Sequence, residues 1–170
     1  MKHVRIAWTV ALVSFLPGPT GAQTVTESLD GLYGITKTNI MATAELLDEE
    51  MYAYRPTEEV RSTAELLGHI ANAQFAFCSA AAGESNPQTE NFEESRTTKT
   101  RLIQALELGF AYCDGVYDGM TDEEGARPVQ FLGASTALGV LAFNSAHNYE
   151  HYGNLVTYMR MNGIVPPSSR

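Results

Sequence analysis

Apolar positions along this chain recur at helical spacing, and four long stretches carry the pattern. The first, LDGLYGITKTNIMATAELLDEEMYAY, runs from about Leu29 to Tyr54 and stops ahead of Pro56, which disfavours helical geometry at Arg55. The second opens on STAE, where Ser62 can cap the helix and Glu65 can complete a capping box, and it continues to Gly83. The third covers about Ser95 to Gly119, and the fourth about Thr136 to Asn162, closed by Gly163 and a later pair of prolines. No stretch alternates as a half-buried strand would. The expected fold is therefore all-α, a single four-helix bundle.

The connections predict the course of the chain. A short link around Pro56 makes the first two helices antiparallel neighbours. The polar segment GESNPQTENFEE, at about 3.3 Å per residue, is long enough to climb the whole bundle, so the second and third helices can run parallel. In that up-down-down-up course Cys78 and Cys113, each near the end of its helix, come to the same level and can pair. In a simple up-down-up-down course they would lie roughly 20 Å apart, given about 1.5 Å of rise per residue. The alternative is two buried thiols that never meet.

Composition agrees with one globular domain: 44% of the 170 residues are apolar and 18% charged, enough for a core and no case for disorder. The N-terminus stands apart. MKHVR is basic, IAWTVALVSFL is apolar but about half the roughly 20 residues that span a bilayer, and Thr20 and Ala22 occupy small-residue positions ahead of a cleavage point. Residues 1–22 read as a secretory signal peptide, leaving a domain of residues 23–170 with no stable membrane insertion and a periplasmic or secreted location. Loss of Lys2 and Arg5 leaves 9 basic against 20 acidic residues, a net charge of −11. Charge of that sign repels phosphate backbones, so nucleic acid is not an expected partner.

The candidate chemistry lies in NSAHNYEHYGNL. His147 and His151 are four residues apart and project from one helix face, where they either grip a metal ion from adjacent turns or form an accidental polar pair. His69, in AELLGHIANAQF, can supply a third nitrogen from the second helix. Three imidazoles suit zinc or nickel first, with iron or copper as further choices, and leave a coordination position open. Glu150, three residues after His147, can approach the metal edge or serve as a base on bound water, but it sits well off the His147/His151 face and reads first as a solvated glutamate. Asn72, Asn144 and Asn148 are candidates to support the metal shell, and tyrosines such as Tyr33, Tyr52, Tyr112, Tyr149 and Tyr152 read as core and rim. The HExxH pattern of metalloproteases is absent, as are phosphate loops and CxxC pairs.

The layout resembles the DinB family (DinB/YfiT-like metalloenzymes). The resemblance is carried by AELLGHIANAQ in the second helix and by HNYEHYGNLVTYMRMNGIVPPSS at the end of the chain. It implies an up-down-down-up four-helix bundle with His69, His147 and His151 as ligands of a divalent transition metal, and a homodimer. It also implies metal-dependent hydrolysis or transfer on a small molecule that the sequence does not identify. A thiol-dependent S-transferase and a non-catalytic metal-binding or interaction module are the alternatives.

Overall fold

In a computed structural model, residues 23–170 are described. The signal peptide read at residues 1–22 lies outside them. Four long helices form the body: α1 (Val25–Leu46), α3 (Thr63–Ala82), α5 (Lys99–Asp118) and α7 (Ala137–Met161). Between them lie short helices α2 (Glu49–Ala53), α4 (Phe92–Ser95) and α6 (Asp122–Gly125), and a hairpin of β1 (Pro128–Gln130) with β2 (Ala134–Thr136). The all-α bundle is thus observed. No helix among the described residues is long and apolar enough to cross a membrane.

The expected course is also observed. Phe75 stacks on Tyr112 and Cys78 is bonded to Cys113, so numbers rise together along α3 and α5 and the two helices are parallel. The Cα atoms of the two cysteines are 5.4 Å apart. Helices α3 and α7 run antiparallel, with His69 beside His151 and Cys78 beside Asn144. The core between the helices is filled by Ile40, Leu67, Ile70, Leu102, Leu106, Leu141 and Leu155, all essentially inaccessible. Each stabilises the fold by about 1.5–3 kcal/mol through burial.

Three departures from the expected elements have local causes. The first helix does not run through to Tyr54: Leu47 turns extended and enters the core, and the Asp48 carboxylate accepts from the Met51 amide, 2.9 Å away, to start α2. Lys99 Nζ donates to the freed carbonyls of Glu45 and Leu47, at 2.7 and 2.6 Å. The third helix begins at Lys99 instead of Ser95, because Arg96 is held by Glu90 and lies over the buried Phe92 ring, which ends α4 as a separate turn. The hairpin was not expected at all. Its strands have three residues each, too few to show alternation, and its turn uses positive φ at Leu132 (49°) and Gly133 (116°).

Candidate metal centre

The three histidines meet at one point. Capping at Ser62 sets the register of α3 and thereby places His69 on the face turned to α7. The i,i+4 spacing then stacks His147 and His151 on the opposite wall. The Nε2 atom of His147 is 3.1 Å from that of His69 and 3.0 Å from that of His151. His151 is buried, His69 and His147 half-buried.

Electrostatics keep the rings neutral. Burial pushes His147 down to about 3, with the neighbouring imidazoles and Arg61 adding to the effect. Burial likewise pushes His151 down to about 4, and it lowers His69, where Arg61 acts in the same direction and Glu93 opposes. At neutral pH all three rings therefore offer lone pairs.

Three neutral imidazoles in this arrangement cannot satisfy one another. A ring nitrogen either donates one proton or accepts one, so the His147 Nε2 atom can make a hydrogen bond to one neighbour and must face the other unpaired. The chemistry of the donor set fits a cation at the point of convergence. Nitrogens bound at about 2.05 Å around a tetrahedral ion stand about 3.3 Å apart, close to the two separations at His147, and all three ligand atoms lie within 4.8 Å of one another. His69, His147 and His151 are thus the residues that can hold a divalent metal.

The rest of the surroundings are uneven. His69 Nδ1 lies 3.1 Å from Glu93 Oε2, and Arg61 Nε donates to Glu93 Oε1 at 2.7 Å. His151 Nδ1 has only Asn154 at 3.5 Å, and His147 Nδ1 is buried with no hydrogen-bond partner among the described residues. On one side the centre faces a cleft of about 600 Å³ whose lining includes Arg61, Glu93, Glu150, His151, Asn154 and Tyr158. On the other, Phe77 packs against the His147 ring, backed by Phe131 of the hairpin.

The structure brings the three histidines together, and it gives the candidate asparagines other partners. Asn144 and Asn148 do not serve the histidines. Gln74 Nε2 donates to Asn148 Oδ1 at 2.7 Å, and Asn144 Nδ2 donates to Gln74 Oε1 at 3.2 Å, one layer nearer the disulfide. Asn72 instead anchors the crossover segment, accepting from the Phe92 amide at 2.9 Å and donating to Asn91 at 2.6 Å. Glu150 is exposed at the cleft, as expected. Glu93 and Arg61 were missed, since one lies in the single-turn helix α4 and the other in the link ahead of α3, both too short for periodicity to carry information. The available signal was Gly68, directly before His69: a Cβ there would come within 2.7 Å of the Glu93 backbone, so something had to approach α3 at that point.

A four-helix bundle with a parallel central pair and a three-histidine centre between two antiparallel helices defines a class of metal-site bundle. Residues 34–155 match the DinB superfamily, and the chain belongs to it. The uncharacterized protein YjoA of Bacillus subtilis is 27% identical over 122 residues, which cover 71% of this chain and 79% of that one. The YjoA crystal structure, described as DinB-like, superposes with a TM-score of 0.66 at 22% identity, covering 81% of this chain and 93% of that one. A DinB-like protein from Bacillus cereus gives 0.71 at 15% identity, with 83% and 95% covered. A mycothiol-dependent maleylpyruvate isomerase gives 0.64 at 18% identity, with 78% of this chain and 61% of that one covered. The likeness to these structures is one of fold.

Proposed function

We propose that this protein is an exported DinB-superfamily metalloprotein in which His69, His147 and His151 hold one divalent transition metal. Zinc or nickel is the first choice, with iron or copper as further choices, and the centre serves hydrolysis or transfer on a small molecule. The observation that carries the reading is the convergence of three neutral imidazoles whose facing nitrogens cannot all be satisfied by one another. A bound metal supplies Lewis acidity, polarising a bond of the substrate. The chain's own residues do the rest. Phe77 and the hairpin wall keep water from one side, and the opposite cleft admits a small molecule past Tyr158 and Asn154.

Export is supported by the leader pattern and by the Cys78–Cys113 disulfide, a bond that persists in oxidising compartments. The acidic charge argues against a nucleic-acid partner. A homodimer is part of the same proposal, supported by exposed apolar side chains such as Leu32 and Ile35 on α1.

A thiol-dependent S-transferase is the second reading, favoured by the fold neighbour that is a mycothiol-dependent isomerase. Metal analysis of untagged protein tests the first premise. One equivalent of metal is expected in the wild type and near none in His147→Ala or His151→Ala; a wild type that holds no metal after loading with zinc, nickel, iron or copper would sink the site. Saturable thiol binding to metal-loaded protein selects the second reading. If chelation unfolds the protein and no small molecule reaches the metal, the role is a structural pin in a non-catalytic module.

A further inference from the structure

We propose that Glu93 is the positioning residue of the metal centre, holding His69 in the tautomer whose Nε2 carries the lone pair, and that Gly68 exists to admit it. The inference rests on the metal reading above. Glu93 belongs to α4, on the crossover between α3 and α5, 24 residues away from His69. Three features bring it there. Asn72 fixes the crossover backbone through the Phe92 amide and the Asn91 side chain. Phe92 is buried and drives α4 onto the bundle. Gly68 leaves the space: a Cβ at that position would stand 2.7 Å from Glu93 Cα and 2.8 Å from both Glu93 N and Phe92 O, closer than real Cβ contacts allow.

The Glu93 carboxylate then accepts from two donors at once. Oε2 takes the His69 Nδ1 proton at 3.1 Å, and Oε1 takes the Arg61 Nε proton at 2.7 Å. A carboxylate has acceptors only, so it enforces Nδ1–H on His69 and leaves Nε2 free. Among the three rings, His69 alone has so close a partner on its outer nitrogen, which concentrates control of ligand orientation in this one contact.

An amide in the same place cannot do this. Arg61 is always a donor, so a Gln at this position turns its oxygen to Arg61 and its NH2 to His69 Nδ1. His69 must then accept at Nδ1 and carry its proton on Nε2, where the metal belongs.

Zinc affinity, measured by chelator competition on the untagged processed chain at pH 7.5, tests this together with the ¹⁵N signature of the His69 ring in metal-free protein. Glu93→Gln is expected to weaken zinc binding by about 10–100-fold and to move the His69 proton from Nδ1 to Nε2. Arg61→Met alone is expected to leave the affinity unchanged or raised, since Glu93 keeps its hold and a nearby positive charge is gone. The double variant is expected to recover part of the loss, because the Gln oxygen is released to His69. Zinc binding to E93Q within about threefold of wild type overturns the inference and leaves the metal reading intact. A loss in R61M equal to that in E93Q also overturns it, showing an ion pair that merely holds the fold. A wild type that binds no zinc overturns the metal reading and this inference with it.

Discussion

Helices α3 and α7 share two adjacent polar layers, one of amides and one of imidazoles. In the amide layer Gln74, Asn144 and Asn148 are fully buried and joined by two donor-to-acceptor bonds, with Tyr117 and the disulfide sulfurs close by, while Asn144 Oδ1 and Asn148 Nδ2 have no partner among the described residues. In the imidazole layer the His147 Nε2 atom lies 3.0–3.1 Å from those of two like groups beside an open cleft. An amide carries both a donor and an acceptor and can answer another amide; a neutral imidazole edge with a lone pair cannot answer a second one. The amide layer is sealed and linked through Gln74, whereas the imidazole layer gathers lone pairs beside a cleft, and that combination marks it as the site.

That contrast can be broken at several points. The largest stability effect is expected at the disulfide beside the amide layer. Closing a loop of 35-residue separation is worth about 4 kcal/mol in the chain-entropy model, so Cys78→Ala/Cys113→Ala loses about that much in urea unfolding. Metal stoichiometry in the same variant stays at one, and a loss of metal would show that the two layers are not separate.

Gln74→Leu is expected to cost about 3 kcal/mol, because the buried Asn148 oxygen loses its donor and the Asn144 amide keeps only longer contacts to Tyr117 and the disulfide sulfurs. It too should retain metal.

The imidazole layer gives a smaller, graded response to pH. His147 at about 3 and His151 at about 4 lie below the ordinary 6.5 of an unfolded chain. The unfolded state therefore takes up protons that the folded state refuses, and metal-free stability falls as pH drops below about 6.5. Thermal melts between pH 7.5 and 5 should show this slope, and His147→Gln/His151→Gln should flatten it. A slope unchanged in that variant would place the acid sensitivity elsewhere. The smallest effect is expected at Glu150: Glu150→Gln, at an exposed position, changes stability by under about 0.5 kcal/mol and leaves metal stoichiometry at one.

Much of the fold was legible because long amphipathic helices announce themselves over many residues. The ends were less so. Asp48 stopped the first helix inside LLDEE, where a capping carboxylate looks the same as a helical surface acid until the chain is seen to turn. The hairpin around Phe131 was too short to carry a period. Within the site, His147 and His151 were legible from one helix alone, while Asn144 and Asn148 were only candidates for the metal shell, because periodicity reports a face and not which neighbour fills it.

The sequence by itself determined the four long helices, a crossover segment long enough for the second and third of them to run parallel, and the shared face of His147 and His151, all consequences of spacing along one chain. Only the tertiary structure decided that Gln74 claims the two asparagines, and that Glu93 and Arg61 stand behind His69. Those contacts join residues 24 to 74 positions apart, several through irregular segments. Hydrogen bonding is set by distance and direction in space, and sequence separation does not encode either.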